Sequence, residues 1–408
     1  MNTHVLRNST LLMTTLGAGL CLANHGNAAT FADDVQFLQQ HTEVLVLSDS
    51  SGQAQVAVAP AYQGRIMTST AQGGSGLSYG WINRELIASR KLQPHINVFG
   101  GEDRFWMGPE GGQFSIFFAK GVPFDFEHWF TPACIDTEPF HLLKKSATAA
   151  TFGREFTLTN YSGTVFQVKV DRTIRLLQPA AAWRKIGLPA LPSLKLVAFE
   201  SDNKITNTGK EPWTKNTGLL SIWILGMFNP SPQTTIVAPI VAGDESLLGK
   251  KVTSDYFGQV PPERLVVKDS VIFFKGDGQY RSKIGIGPKR SRGLLGSYDA
   301  ANKVLTLAYY TQPKGVTDYV NSLWKLQDDP FNGDVANSYN DGPVNGGKPL
   351  GPFYELESSS PAAALKPKGS LRHVHTTIHL NGPEQDLDLV ARATLGVTLQ
   401  EITTALPK

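Results

Sequence analysis

Two carboxylates near the C-terminus are the side chains of this sequence best placed for acid–base chemistry. Glu355 and Glu357 are separated by one residue in the run Tyr-Glu-Leu-Glu-Ser. Alternate residues of a β-strand point to the same face, so a strand here would bring the two carboxyl groups together. Neighbouring carboxylates repel each other, and this repulsion raises the pKa of one of them towards neutrality. A carboxylate with such a pKa can act as a general base. A solvated outer strand face explains the pattern equally well.

A second group of polar side chains lies in the glycine-rich segment 97–113. Its charged and aromatic members are Glu102, Asp103, Arg104, Trp106 and Glu110. Aromatic faces pack against the C–H patches of sugars, and carboxylates or guanidinium groups hydrogen-bond to sugar hydroxyls. This segment therefore suits a carbohydrate. The alternative, which the residues leave open, is a structural loop whose charges satisfy one another.

Two further segments carry residue types that bind metal ions. His373 and His375 are two residues apart on a predicted strand, a spacing that zinc sites use, but ordinary hydrogen-bonded histidines are the favoured interpretation. Segment 331–342 contains oxygen ligands of the kind that Ca²⁺ takes without the spacing of the twelve-residue loop, so a loop of Asx turns is favoured. The sequence has no dinucleotide or phosphate-binding fingerprint. We therefore predict no metal and no other cofactor.

The elements that must position these residues are strands. Short β-favouring runs, several of them with alternating polarity, follow one another from residue 43 to residue 310, and 39 Gly and 25 Pro supply many turns. Helical patterns are confined to 30–40 and 79–91, and the Pro-rich stretch 179–192 is predicted as a long connection. Strands without alternating helices predict an all-β fold of stacked antiparallel sheets with few short helices, in one domain over 29–408.

The N-terminus predicts export. An apolar run over 11–23 leads to the small-x-small site Gly26-Asn27-Ala28, which is typical of a cleaved signal peptide over 1–28 and predicts a periplasmic or extracellular protein. An N-terminal membrane anchor is the less favoured alternative, and the mature chain has no membrane-spanning segment. Only Cys134 remains after cleavage, so an intramolecular disulfide is excluded. The net charge of +3 is scattered, which predicts no nucleic-acid partner, and nothing indicates an oligomeric state.

Four motifs, read in order, resemble the galactose mutarotase-like group, meaning aldose 1-epimerases and related bacterial proteins. The motifs are Gln-Gly-Arg-Ile-Met from Gln63, Phe-Gly-Gly-Glu-Asp-Arg-Phe-Trp from Phe99, Ile-Thr-Asn-Thr-Gly from Ile205, and Glu-Leu-Glu-Ser-Ser-Ser-Pro from Glu355. The resemblance covers most of the mature chain and is carried by the order of the motifs. It implies an antiparallel β-supersandwich with a sugar-sized cleft on one concave face, as in an uncharacterised secreted branch of that group.

The resemblance also implies chemistry. In such enzymes a Glu removes the proton of the anomeric hydroxyl and a His protonates the ring oxygen. Glu357 matches the Glu of the family pattern, with Glu355 in reserve, but the segment after Asn-Thr-Gly contains no His. His95 or His128 from another strand could supply the acid, or Arg104 could bind an acidic sugar.

The sequence thus predicts a secreted carbohydrate-active or carbohydrate-binding protein. As an enzyme, it would be an isomerase acting at an anomeric carbon, and lyase or glycosidase chemistry by paired acids is the second expectation. A non-catalytic sugar-binding module or a cell-envelope protein with another ligand is the alternative. The cleft would be lined by Glu102, Asp103, Arg104, Trp106, Glu355 and Glu357.

Overall fold

The computed structural model describes residues 29–343 and 347–407, so the predicted signal peptide over 1–28 lies outside the described residues. Its strands are β1 (Leu45–Ser48), β2 (Gln55–Ala59), β3 (Arg65–Thr70), β4 (Arg104–Gly108), β5 (His141–Lys145), β6 (Ala149–Thr159), β7 (Val165–Leu176), β8 (Lys195–Asn207), β9 (Ser221–Phe228), β10 (Thr234–Pro239), β11 (Leu265–Val267), β12 (Val271–Lys275), β13 (Ser282–Ile286), β14 (Leu294–Asp299), β15 (Val304–Tyr310), β16 (Ala336–Asn340), β17 (Tyr354–Ser359) and β18 (Ser370–Asn381). The helices are α1 (Phe31–Gln39), α2 (Arg84–Ser89), α3 (Ala133–Asp136), α4 (Pro179–Ile186), α5 (Glu245–Leu248), α6 (Glu384–Leu395) and α7 (Leu399–Thr404).

The strands form three antiparallel sheets. A ten-stranded sheet has the order β11-β12-β10-β14-β15-β18-β8-β7-β6-β5, and a five-stranded sheet has the order β13-β16-β17-β9-β4. A three-stranded sheet of β1, β2 and β3 completes the set. The prediction of an all-β antiparallel sandwich with few short helices is confirmed.

The middle of the ten-stranded sheet is covered on both faces, whereas β5, β6 and β7 have an exposed or half-buried outer face. Val197 and Phe199 of β8 belong to one apolar core with Ile224 of β9, and the intervening Ala198 belongs to a second core that the helices α4, α6 and α7 cover. Because successive residues of a strand point to opposite faces, a strand covered on both sides must be buried at every position, whereas β7 alternates buried with exposed or half-buried residues. The covered strands β10 and β14 are accordingly buried along their whole length.

Three predictions about helices need correction. The helix predicted over 79–91 is only α2, because Gly80 and Ile82 pair with neighbouring backbone and the helix begins after its cap Asn83. The predicted connection 179–192 contains α4, which begins with Pro179 in its first turn and ends at Gly187. The sequence reading missed α6, whose buried positions 387, 390, 391 and 395 have helical spacing. None of the helices in the described part of the chain combines the length and apolar character that crossing a membrane needs.

Candidate functional site

A cavity of about 830 Å³ lies on one face of the five-stranded sheet. Alternate residues of its strands line the cavity, and the residues between them enter the core. The lining positions on the strands are Arg104, Trp106 and Gly108 of β4, Ser221, Trp223, Leu225 and Met227 of β9, Lys283 of β13, Asn337 and Tyr339 of β16, and Glu355 and Ser359 of β17. Antiparallel pairing places these residues side by side, so distant segments converge on one surface.

The wall of the cavity is aromatic. Trp106, Trp129, Trp223 and Trp324 all line it, together with Phe126. The ring centroids of Trp106 and Trp223 are 5.6 Å apart, and those of Trp129 and Trp324 are 5.7 Å apart. Broad aromatic faces that are rigidly packed against one another provide a surface on which an apolar face of a ligand can pack.

Glu357 lies beneath this wall. Its Oε2 accepts hydrogen bonds from Trp223 Nε1 at 2.9 Å and from Lys283 Nζ at 3.0 Å, while its Oε1 has no partner. The side chain is 0% exposed. Burial alone would lower the pKa of Lys283, but the neighbouring carboxylates, Glu357 foremost, raise it above its ordinary value. Glu357 and Lys283 thus form a buried ion pair under the cavity surface.

Glu355 lines the cavity itself, as do the carboxyl groups of Glu110 and Asp334. Burial, followed by repulsion from Glu357, raises its pKa to about 8, against the attraction of Arg104 and Lys283. The nearest approach of Arg104 Nη2 to Glu355 Oε1 is 3.6 Å, too long for a hydrogen bond. Glu355 therefore keeps its proton to higher pH than an ordinary carboxyl group, and in that form it can donate as well as accept a proton.

A further hydrogen-bonded group borders the cavity. The hydroxyl of Tyr256 donates to Asp334 Oδ2 and accepts a bond of 3.1 Å from Asn337 Nδ2. Burial raises the pKa of Asp334 to about 6. The sequence favoured a loop of Asx turns for the segment that contains Asp334 and Asn337. The structure instead places Asn337 on β16, and both residues line the cavity.

The family model described as a family of unknown function, DUF6786, matches residues 29–406. The chain belongs to this family. No curated protein matches it at a significant level.

Several solved structures resemble this DUF6786 protein in fold. A candidate aldose 1-epimerase from Escherichia coli K12 has 13% sequence identity and a TM-score of 0.49, over 84% of this chain and 99% of that chain. A galactose mutarotase-like protein from Lactobacillus casei has 10% identity and a TM-score of 0.48, over 83% and 100% of the two chains. The Slr1438 protein from Synechocystis has 12% identity and a TM-score of 0.48, over 84% and 96%. These values are too low to transfer a function to the DUF6786 chain.

Two of the predicted site residues of the DUF6786 chain lie elsewhere. Glu102 is buried between the sheets, where its Oε2 is 2.6 Å from His379 Nε2 of β18. Asp103 is 2.5 Å from Arg172 of β7, and both side chains are 0% exposed. Neither acid lines the cavity. One oxygen of each carboxylate contacts a side chain of the ten-stranded sheet, which corrects the expectation that the two acids line the cleft.

The other predicted residues divide between the site and its surroundings. The structure brings Arg104, Trp106, Glu355 and Glu357 together, with Glu357 beneath the surface. No histidine is among the described residues that line the cavity. The His95 ring is 2.7 Å from the backbone oxygen of Trp129, and the His128 ring is 2.6 Å from Asp125. Both candidate acids therefore lie outside the cavity lining.

His373 and His375 lie on the inner face of β18, away from the cavity. His373 Nε2 and His375 Nδ1 each lie 2.8 Å from the hydroxyl of Ser358. Burial lowers the pKa of His373 to about 3 and that of His375 to about 4. Within residues 29–343 and 347–407, no group of three or more His, Cys, Asp or Glu could hold a metal ion.

Most residues that line the cavity were not predicted from the sequence. The missed residues that line the cavity include Trp129, Trp223, Tyr256, Arg281, Lys283 and Trp324. Arg281 and Lys283 carried a usable signal, since they alternate with Ser282 and Ile284 at the start of β13. No such signal marks Tyr256 or Trp324, which lie outside the named strands.

Proposed function

We propose that the cavity binds a carbohydrate and that Glu355 performs acid–base chemistry at the anomeric carbon. The observation that carries the proposal is a carboxyl group with a pKa raised to about 8 inside an aromatic-walled cavity. A strongly perturbed carboxyl in a cleft marks a candidate catalytic group. The cavity volume of about 830 Å³ lies within the range of small-molecule sites and has room for a monosaccharide or disaccharide.

The proposed reaction is the interconversion of anomers. The neutral carboxyl of Glu355 donates its proton to the ring oxygen while its second oxygen accepts the proton of the anomeric hydroxyl. The bond between the anomeric carbon and the ring oxygen breaks and leaves an open-chain aldehyde. After ring opening the carboxyl is again neutral, with its proton on the other oxygen. Rotation of the aldehyde followed by the reverse proton exchange closes the ring in the other configuration and returns the carboxyl proton to its first oxygen. One carboxyl suffices, because both oxygens of the sugar are bonded to the same carbon.

Glu357 supports this chemistry as a positioning residue. Its charge is the second cause of the raised pKa of Glu355, after burial, and its bond to Lys283 holds that ammonium group at the cavity. The sequence predicted Glu357 as the base. Its full burial and its two donors on Oε2 favour Glu355 as the group that contacts the sugar.

Two-dimensional exchange NMR tests the proposal directly. Cross-peaks between the α and β anomers of hexoses and hexuronates should grow faster with the wild-type protein, and Glu355→Gln should abolish the acceleration. Glu263→Gln, an exposed Glu outside the cavity, is the matched control and should keep it. Loss of acceleration in Glu357→Gln alone, with Glu355→Gln active, would return the base to Glu357.

A non-catalytic sugar-binding protein is the second candidate. The absence of any histidine from the described cavity lining favours it, because the resemblance implies a histidine acid. Calorimetric binding of sugars without any acceleration of anomer exchange would identify this alternative. Absence of binding across hexoses, hexuronates and disaccharides would contradict both candidates.

We also propose that the protein is exported, on the strength of the leader-like sequence over 1–28. Fractionation of cells that express the full chain should recover a form shortened to begin near Ala29. A full-length cytoplasmic product would contradict export without bearing on the cavity.

A further inference from the structure

Arg104 differs from the other deeply buried arginines of the described chain. Arg172 forms an ion pair with a fully buried carboxylate, and Arg290 makes four hydrogen bonds to backbone carbonyls. Arg65 donates to one carbonyl and one side-chain oxygen, and its Nε has no partner. Arg104 is 2% exposed, yet its Nε and Nη1 have no hydrogen-bond partner at all. A buried charged donor without a partner is costly, so its presence requires an explanation.

The unused donors of Arg104 belong to the cavity. The guanidinium lies 4.1 Å from the ring centroid of Trp106, and its closest carboxyl oxygen, on Glu355, is 3.6 Å from Nη2. Burial also raises the pKa of Glu355, which weakens its charge pairing with Arg104. A planar guanidinium with free donors on the wall of a cavity is suited to pair with a carboxylate of a ligand.

Arg281 is a second guanidinium of the same cavity. It lies 3.8 Å from the ring centroid of Phe257, its Nε has no partner, and no carboxylate of the described residues forms a salt bridge with it. The cavity therefore holds two arginines to which no described carboxylate is hydrogen-bonded, although Glu110, Asp334 and Glu355 line the same cavity. Lys283, by contrast, is held by Glu357 at 3.0 Å.

We propose that the carbohydrate carries a carboxylate next to its ring oxygen, as a hexuronic acid does, and that Arg104 pairs with this carboxylate. The inference rests on the proposed function, since it names the class of sugar that the cavity binds. In a hexuronic acid the carboxylate is attached to the carbon that bears the ring oxygen, so it lies close to the anomeric centre. Arg104 Nη2 lies 3.6 Å from Glu355 Oε1, so one sugar can place its carboxylate at Arg104 and its anomeric centre at Glu355. Arg281 adds positive charge to the same cavity.

Calorimetric titration of the full protein with matched pairs of sugars tests this inference. Glucuronate should bind about tenfold or more tightly than glucose, and galacturonate than galactose, as expected for a charge-assisted hydrogen bond. Arg104→Gln should reduce each ratio to near one, and Arg372→Gln, on an exposed arginine outside the cavity, should preserve it. Circular dichroism checks that each variant is folded, and the wild-type ratios test the inference without any variant.

The outcomes separate the two proposals. Equal binding of neutral and acidic sugars, or a preference unchanged by Arg104→Gln, overturns the hexuronate assignment and leaves carbohydrate binding intact. A preference for glucose 6-phosphate over glucuronate also overturns the assignment, because it places the anion farther from the ring. No binding of any sugar overturns both proposals.

Discussion

Replacing Glu357 by Gln should lower the pKa of Glu355. The two residues are on the same face of β17, two positions apart, so their side chains leave the backbone about 7 Å from each other. Two charges at this distance repel by about 2 kcal/mol at an effective dielectric constant of 20, which corresponds to about one to two pKa units. Lys283, released from Glu357, would attract the Glu355 carboxylate and act in the same direction. Burial remains in the variant, so the pKa should still exceed that of an exposed Glu.

Carbon-13 NMR of protein labelled at the Glu carboxyl carbons measures this pKa. The wild-type resonance of Glu355, assigned by its loss in Glu355→Gln, should titrate with a midpoint near 8. The midpoint in Glu357→Gln should lie about one to two units lower, and Glu263→Gln should leave it unchanged. A midpoint below 5 in the wild type, or one that stays or rises in Glu357→Gln, would refute the electrostatic account of the site.

The same shift predicts the pH dependence of anomer exchange. The proposed reaction uses the neutral carboxyl, which is lost as the pH rises through the pKa of Glu355, about 8 in the wild type. The acceleration should therefore be present at neutral pH and decline above pH 8, and the decline should begin at lower pH in Glu357→Gln. Acceleration that increases through this range would show that the carboxylate form is the active one.

Three further predictions concern stability and binding. Asp103→Asn should reduce the free energy of unfolding in urea by roughly 3–5 kcal/mol, because Arg172 is left buried without a counter-charge. The control Arg372→Gln, at an exposed ion pair, should reduce it by less than about 1 kcal/mol. Burial lowers the folded-state pKa of His375 to about 4, so the stability that its neutral form contributes is lost as the pH falls from about 6.5 to 4. Between pH 7 and 5 the melting temperature of His375→Gln should therefore decline less steeply than that of the wild type. An unchanged slope would contradict this. Trp324→Ala should weaken calorimetric sugar binding by roughly threefold to tenfold with little change in melting temperature, and unchanged affinity would remove this ring from the ligand surface.

Local sequence patterns predicted the all-β fold class and the common strand face of Glu355 and Glu357, because both features depend only on alternation within one segment. β17 does carry Glu355 and Glu357 on one face. The roles of Glu102 and Asp103 could not be predicted in this way. The five-stranded sheet faces the cavity on one side and the core on the other. The sequence alone does not show on which side an acid finds its partner. Their partners, on β18 and β7, are fixed by the stacking of two sheets.

The rest of the site depends on strand order. Lys283 contacts Glu357 across 74 positions of sequence only because β16 lies between β13 and β17 in the sheet. Trp129 and Trp324 come from segments between strands and meet at 5.7 Å. Residues that are joined by topology leave no periodic signal in a single sequence, so the cavity wall and its charged groups became visible only in the folded chain.

A crystal structure of the protein soaked with galacturonate tests the central claim most directly, because it shows where the sugar lies and what it contacts. The sugar should lie in the cavity, with its carboxylate hydrogen-bonded to Arg104, its ring against the tryptophans and its anomeric carbon beside the carboxyl of Glu355. A sugar bound outside the cavity, or in it with the anomeric carbon remote from Glu355 and the carboxylate away from Arg104, would contradict the account.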